Sequence, residues 1–236
     1  MADSSVPKLF DEQVPLRTEY VLGQGFTRDP GYCKSVLPDE RMWPSELDQL
    51  PAQPNGRIRI DRTVVFAIAQ RVVAELTDPR SATQLHAAII FWGAPPGQST
   101  ARAARPLSSD NAPSRLTEAI KVVRSEGAAS AYKAMGRHQR LWIPGLGPSY
   151  FTKLMYFAGY DAKPYMSQPL IMDDNVVAGL RKSTGQQWEV SLEHYLRYID
   201  LAKDWAYEFD TEVDVIERRL FEIGSSSPTA SAPSTR

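Results

Sequence analysis

The sequence has few of the residues that form disulfides and metal sites. It contains a single cysteine, Cys33, and three scattered histidines among 236 residues. A single thiol excludes an intramolecular disulfide and is typical of proteins in the reducing cytosol. Because Cys and His are the usual ligands of transition metals, their scarcity predicts no metal site.

The sequence also lacks a long apolar run. No stretch approaches the roughly 18 residues that a membrane-spanning helix needs. The first residues show neither the basic segment nor the apolar segment of a secretion signal. We therefore expect a cytoplasmic protein that does not enter the membrane. The hydrophobic fraction of 42% is enough for a sizeable core, so we expect one domain or one domain with a small lobe.

Neither sign of charge dominates the whole chain, whose net charge is −1. The distribution is uneven, however. Residues 101–160 contain nine Lys and Arg against three Asp and Glu, whereas residues 186–222 contain four against ten. Because the phosphate backbone attracts Lys and Arg, the basic segment predicts a nucleic-acid-binding surface. The alternative is a set of ordinary solvated helix faces.

Hydrophobic periodicity predicts a mainly α-helical fold in three parts. Residues 1–60 are rich in proline and poor in periodicity, so we predict an irregular N-terminal arm with one short strand at residues 19–22. Residues 61–224 show successive helical patterns and form the predicted helical domain. Residues 225–236 are rich in Ser, Pro and Ala and are predicted to be a disordered tail.

Individual residues mark the predicted boundaries of helices in this domain. Asp61 is predicted to cap the first helix, and Gly224 to end the last one. Thr211 and Asp214 resemble a capping box at the start of that last helix. Residues 93–113 contain many Pro, Ser and Gly, and we predict a long loop that is either functional or mobile.

A Pro-Gly-Leu-Gly-Pro segment at residues 144–148, called here the glycine turn, stands between two predicted helices. Gly145 and Gly147 lack a Cβ atom, so the backbone can turn sharply and approach a ligand closely. The amides of Gly147, Ser149 and Tyr150 stand at the start of the next helix. Free N–H groups and the helix dipole make such a place suitable for a phosphate. The alternative is a turn between helices that binds nothing.

The helix after the glycine turn has two faces when it is read at about 100° per residue. The face predicted to point to the core carries Phe151, Leu154, Met155 and Ala158. The opposite face carries Ser149, Thr152, Lys153 and Tyr156. Ser149 and Lys153 therefore lie one turn apart on one face. We expect Lys153 to face solvent or phosphate.

Two aspartates, Asp173 and Asp174, follow an apolar run at residues 170–172 and precede another predicted helix. An aspartate at the start of a helix can serve simply as its N-cap. A carboxylate held there by the helix dipole also stays ionised and can stabilise developing positive charge.

The string IPGLGPSYFTKL, at residues 143–154, resembles the helix-hairpin-helix motif. The apolar run that ends in Asp173, with Asn175-Val176-Val177 after it, resembles the end of the helix-hairpin-helix DNA glycosylase signature. The resemblance covers residues 128–180. The chain resembles bacterial proteins described as 8-oxoguanine-glycosylase-like. Residues 195–221 also resemble the C-terminal segment of these proteins.

This resemblance implies a DNA glycosylase acting on double-stranded DNA, with Asp173 as the catalytic acid and Asp174 as the second choice. It also implies that the turn grips a phosphate, with a monovalent cation held by its carbonyls and no other cofactor. The single cysteine excludes the four-cysteine iron–sulfur cluster of some relatives. The DNA-binding residues implied are Gly145, Gly147, Ser149, Tyr150, Arg137 and Arg140.

The family members with lyase activity carry a lysine at the position that Ser149 occupies here. The serine therefore implies a monofunctional enzyme that leaves an abasic site, and the alternative is that Lys153, one turn later, reaches the sugar. The candidate catalytic residues are thus Asp173, Ser149 and Lys153. One departure is that Asp173 follows Ser149 by 24 positions, which is longer than the family pattern.

The resemblance leaves the excised base open. It is either 8-oxoguanine-type damage or a phage-modified cytosine, for example glucosylated hydroxymethylcytosine, in antiviral defence. Phe91, Trp92 and Tyr156 are the candidates for the base pocket. We expect a monomer. Two other interpretations remain, a non-catalytic helix-hairpin-helix DNA-binding module and a purely structural helical protein.

Overall fold

The computed structural model describes residues 6–11, 13–162 and 167–226. The described chain is mainly α-helical, which confirms the predicted fold class. Its helices are α1 (Arg17–Tyr20), α2 (Pro30–Ser35), α3 (Arg62–Ala74), α4 (Pro79–Gly93), α5 (Gln98–Ala104), α6 (Ala112–Glu126), α7 (Ala128–Met135), α8 (Pro148–Gly159), α9 (Asp174–Thr184), α10 (Leu192–Glu208) and α11 (Val213–Ser225). Strands β1 (Gly25–Arg28) and β2 (Ile58–Asp61) pair antiparallel. No described helix is long and apolar enough to cross a membrane.

Helix α4 is the centre of the core. Asp78 caps its first turn by accepting a hydrogen bond from the Arg80 N–H, and Pro79 is its first residue, where a missing N–H costs nothing. Every residue of its second half up to Trp92 is buried. The helix packs against α3, α6 and α8. A helix that is apolar on all sides must be surrounded in this way.

The N-terminal arm consists of short elements that belong to the same hydrophobic core as the helices. Besides α1, β1 and α2 it contains two 3₁₀ helices, Glu40–Met42 and Ser45–Gln49. The predicted strand at residues 19–22 is wrong, because α1 occupies that place and the strand follows at β1. Gly25 permits the pairing, since a Cβ atom there would lie 2.6 Å from the Ile60 carbonyl oxygen of β2.

The predicted long loop at residues 93–113 is also wrong in most of its length. Helix α5 and a 3₁₀ helix at Arg105–Ser108 fill it, and α6 already begins at Ala112. The buried side chains of Thr100, Ala104 and Leu107 hold this segment on the core. Tertiary packing therefore orders a sequence whose local composition is typical of a loop.

Helices α9 and α11 cross at very short distance. A Cβ atom at Gly179 of α9 would lie 2.0 Å from the Leu220 carbonyl oxygen, and one at Gly224 of α11 would lie 1.8 Å from that of Asn175. Gly224 is thus a packing residue in the last turn of α11, which ends one residue after the predicted end, at Ser225. The predicted disordered tail lies, from residue 227 on, outside the described residues.

Helix α11 also carries two buried acids. Asp214 accepts hydrogen bonds from Arg17 of α1 (2.9 Å) and from the Tyr156 hydroxyl of α8 (2.8 Å). One turn later, Glu217 accepts from the guanidinium of Arg62 at 2.7 Å. The predicted capping box is therefore wrong, since the Asp214 side chain is fully buried and turns to the core.

Candidate active site

Residues 136–147 connect α7 to α8 and end in the glycine turn. The Leu141 N–H donates to the Ala134 carbonyl (2.9 Å), and the Leu146 N–H donates to that of Ile143 (3.0 Å). The side chains of Leu141, Ile143 and Leu146 are buried and fix the connection on the core. Gly145 has φ +84°, a conformation that other residues adopt only with strain. The sequence prediction of a sharp turn that requires glycine at this position is confirmed.

The end of the glycine turn presents free backbone donors at the start of α8. Gly147 is the N-cap without any side-chain cap, and Pro148 has no N–H. Among the residues that the structure describes, the N–H groups of Gly147 and Ser149 have no acceptor. The Tyr150 N–H differs, because it donates to the Gly147 carbonyl at 3.0 Å. Two free N–H groups at a helix N-terminus form a place where an anion can bind.

A Cβ atom at Gly147 would meet nothing within 4 Å, and its φ is −92°. Nothing inside the chain therefore requires glycine at this position, unlike at Gly145. The place of the missing side chain is open space, next in the chain to the free amides. The fold therefore needs glycine at position 145, whereas glycine at position 147 keeps the surface beside it accessible.

Lys153 and Asp173 form an ion pair that joins α8 to the start of α9. The Lys153 Nζ lies 2.8 Å from Asp173 Oδ2 and 2.8 Å from the Ser149 carbonyl oxygen. The two side chains are only 7% and 14% exposed, respectively. The prediction that Lys153 faces solvent or phosphate is therefore wrong. A charged amine at this depth needs a partner, and Asp173 supplies it.

Asp173 is at the same time the N-cap of α9. Its Oδ1 accepts a hydrogen bond from the Val176 N–H at 3.2 Å, which confirms the predicted cap. Burial by itself raises the pKa of this carboxyl group, but the ammonium group of Lys153 and the N–H groups of α9 outweigh it, so the pKa is lowered. Asp173 is therefore ionised at neutral pH and fixed in position at both oxygens.

This ion pair lines a surface cavity of about 760 Å³. One wall comes from the glycine turn and α8, with Gly145, Ser149 and Tyr150, and the start of α9 adds Asp174. Further lining comes from β1, with Phe26 and Arg28, and from α5, with Arg102. The pKa of Tyr150 is raised by burial and by the negative charge of Asp173, so its hydroxyl group stays protonated.

The structure therefore brings together most of the residues that the sequence proposed. Gly145, Ser149, Tyr150, Lys153 and Asp173 share the cavity. Gly147 and Arg137 line a second, neighbouring cavity on the other side of the turn. Arg140 lies in neither of these two cavities and pairs with Glu118 on the surface at 3.5 Å.

The choice of Phe91, Trp92 and Tyr156 as pocket residues is wrong. The three side chains are at most 3% exposed and belong to the core. Helix α8 is buried on all sides from Phe151 to Gly159, so its predicted polar face is also covered. Sequence reasoning instead missed Phe26 and Arg28, because the two-residue alternation of a four-residue strand is too short a pattern to recognise.

No group of three or more His, Cys, Asp or Glu able to hold a metal ion occurs among residues 6–11, 13–162 and 167–226. The helical fold, with a buried lysine–aspartate pair in an open cavity beside a glycine turn, is consistent with the helical class of DNA glycosylases. The chain belongs to the family described as "Putative 8-oxoguanine DNA glycosylase OGG-like protein", whose model matches residues 19–221. Searches of curated proteins and of solved structures found no significant match.

Proposed function

We propose that this protein is a DNA glycosylase that takes a damaged or modified base out of duplex DNA and hydrolyses its N-glycosidic bond. The observation that carries this proposal is the carboxyl group of Asp173, paired with Lys153 and fixed by two hydrogen bonds at the wall of an open cavity. The family match over residues 19–221 supports the same class of activity. Because a base inside a duplex cannot reach such a cavity, the target nucleotide has to be flipped out.

In the proposed reaction, the bond between C1′ and the base nitrogen breaks and the base keeps the electron pair. The sugar then carries positive charge, as in the oxocarbenium-like transition state of glycoside hydrolysis. Asp173 stabilises this charge and accepts a proton from the water whose oxygen forms the new bond to C1′. Each of its oxygens has one hydrogen bond in the structure, so lone pairs remain for the water.

We infer that α7, the glycine turn and α8 form a helix-hairpin-helix element that holds the DNA backbone. The free N–H groups of Gly147 and Ser149 are the proposed phosphate ligands, and a monovalent cation at the carbonyls of the turn is part of the same proposal. Arg137, exposed beside Gly147, adds positive charge near this place, whereas the charge of Arg140 is paired with that of Glu118. The expected partner is double-stranded DNA bound by a monomer.

The two glycines of the turn provide a matched pair of variants for this docking surface. Gly145→Ala is expected to lower the free energy of unfolding by about 1–2 kcal/mol, because φ +84° strains an alanine. Gly147→Ala is expected to cost at most about 1 kcal/mol, because its Cβ meets nothing and the remaining penalty is that alanine caps a helix less well than glycine. The Gly147 variant is nevertheless expected to bind duplex DNA more weakly, because the methyl group covers the free amides.

Denaturant unfolding and fluorescence anisotropy on a labelled duplex measure the two effects separately. Unchanged DNA affinity in Gly147→Ala, across a salt series, would remove the glycine turn from the proposed docking surface.

Base release from labelled duplexes tests the proposed activity and names the substrate. The panel contains 8-oxoguanine, uracil, alkylated purines and glucosylated hydroxymethylcytosine, the last for a role in antiviral defence. The cavity volume is within the range of sites that hold drug-sized ligands, so it accommodates a base that carries a sugar. We expect strand cleavage only after alkali, because a monofunctional enzyme leaves an abasic site. If no base is released from any duplex while DNA binding is preserved, the result would favour a non-catalytic DNA-binding module.

A second candidate activity rests on the position of Lys153. Its amine lines the cavity beside Asp173 and has only two hydrogen-bond partners in the described chain, so one N–H is left. If Lys153 first gives a proton to Asp173, its amine can attack C1′ while the base leaves with the electron pair. In the resulting adduct the C1′–O4′ bond breaks as the nitrogen loses a proton and O4′ takes one, and the Schiff base formed in this way would permit strand cleavage at the sugar.

The same assay separates this alternative from simple hydrolysis. Strand cleavage without alkali, trapping of the protein on DNA by borohydride, and loss of both in Lys153→Gln would establish a lyase. Cleavage that requires alkali, with nothing trapped, would exclude it.

A further inference from the structure

Strand β1 presents two side chains to the cavity of Asp173. Successive residues of a strand point to opposite faces, so Phe26 and Arg28 share one face and Thr27 lies on the other. Both Phe26 and Arg28 line the same cavity as Lys153 and Asp173. The N-terminal arm therefore supplies a wall of the proposed active site.

Main-chain carbonyl groups at the end of α4 fix the position of Arg28. Its guanidinium donates to the main-chain carbonyls of Trp92 (3.1 Å) and Ala94 (2.9 Å) and also to that of Phe91, at the C-terminal end of α4. The side chain is 92% buried, and no ion pair of the described residues includes it. Unmatched helix carbonyls attract a cation in this way. The guanidinium cannot move freely, because these three bonds hold it together with a fourth to the Thr27 carbonyl at 3.3 Å.

Phe26 rests on this guanidinium. The Arg28 Cζ lies 5.1 Å from the centroid of the Phe26 ring, within the range of a cation–π contact. The ring is nevertheless 39% exposed, and among the described residues it has no ring partner. Single exposed apolar residues are common and need no function. Phe26 differs from them because its ring contacts the fixed guanidinium of Arg28 and lines the cavity that contains Asp173.

We propose that Phe26 is the surface on which the extruded base stacks. This inference rests on the proposed glycosylase activity. An aromatic ring at this place binds the planar face of any nucleobase and so supplies affinity without reading the base edge. Arg28 acts as a positioning residue, because it sets where the ring lies relative to Asp173. The ring thereby holds the sugar within reach of the carboxylate.

The test compares Phe26→Ala with the wild type on two duplexes. One contains the base that the wild type releases, and the other contains tetrahydrofuran, a sugar analogue without a base. Phe26→Ala is expected to lower kcat/KM for base release roughly 5- to 150-fold, the range that base–aromatic stacking supports. Most of the loss is expected in KM, because stacking stabilises the bound base before and during the reaction. Affinity for the tetrahydrofuran duplex is expected to stay within about twofold, since it has no base to stack.

Two further variants make the result specific. Phe26→Trp keeps a stacking ring and is expected to retain most of the activity. Tyr207→Ala removes an aromatic residue that is 85% exposed and outside the cavity, and is expected to change nothing. Circular dichroism and thermal unfolding check that each variant is folded.

An unchanged kcat/KM in Phe26→Ala would overturn the inference while leaving the proposed activity intact. Equal losses on the base-containing and the tetrahydrofuran duplex would also overturn it, because Phe26 would then contact the DNA helix rather than the base. A wild-type protein that releases no base would instead overturn the proposed function, and this inference with it.

Discussion

Asp173→Asn is expected to lower the rate of base release by about 100- to 10,000-fold, the range for removing one acid–base or charge-stabilising group. The asparagine side chain has nearly the same shape, but it carries no charge to stabilise a cationic sugar and cannot accept a proton from water. Single-turnover assays with excess protein measure this loss directly. The affinity for the substrate duplex, measured by anisotropy, is expected to change little, because the proposed docking surface at Gly147 and Ser149 is untouched.

This substitution keeps much of the local structure. Asparagine is as good an N-cap as aspartate, so the hydrogen bond from the Val176 N–H can remain. The charge partner of Lys153 is lost, and a hydrogen bond to a charged group contributes about 1.5–3 kcal/mol. Assays therefore have to be run well below the unfolding midpoint of the variant, which thermal unfolding supplies.

Asp174→Asn is the matched control. Asp174 is the next residue, lines the same cavity and is exposed, so it carries the same charge without the bond to Lys153. It is expected to retain nearly full activity. If the loss appears in Asp174→Asn and not in Asp173→Asn, the catalytic assignment moves by one residue. If Asp173→Asn abolishes DNA binding, the carboxylate has a binding or structural role instead.

Local signals in the sequence were sufficient for the ends of several helices and for the turn. Asp61 and Asp173 cap helices as predicted, because an N-cap depends on residues within one turn of it. The positive φ of Gly145 follows from the same kind of short-range constraint. The helical class follows from periodicity over longer segments.

The ion pair between Lys153 and Asp173 could not be predicted in the same way. Angles around α8 place Lys153 on the face of Ser149, but they do not say what covers that face. The start of α9 covers this face of α8, and the position of α9 is set by its close crossing with α11. Lys153 was therefore expected to face solvent or phosphate, and the structure buries it.

The wall that β1 contributes depends on partners even further away. Phe26 faces Ile60 across the strand pair, and Arg28 is held by carbonyls of α4. A four-residue strand has almost no sequence signal of its own. The resemblance to glycosylases covered residues 128–180 and so left out this half of the cavity. Residues that recognise a ligand often lie on such irregular segments, which a rigid scaffold holds in place.

Glu217→Gln is expected to lower the free energy of unfolding by about 3–5 kcal/mol, which corresponds to an unfolding midpoint lower by about 6–20 °C. Arg62 and Glu217 are 1% and 0% exposed and are joined at 2.7 Å. The variant leaves the guanidinium of Arg62 buried without an opposite charge. Its remaining partners are the Gln24 side-chain oxygen at 2.8 Å and the rings of Trp92 and Tyr156, which do not replace a carboxylate.

The size of this effect distinguishes a buried pair from an exposed one. Glu118→Gln breaks the surface pair with Arg140 and is expected to cost less than about 1 kcal/mol. The double variant Arg62→Met, Glu217→Leu removes both charges and is expected to recover most of the stability lost in Glu217→Gln, because no charge is then left buried. Denaturant unfolding of all three variants measures the differences. Equal costs in Glu217→Gln and Glu118→Gln would show that the buried charge is accommodated by solvent or by rearrangement of α11.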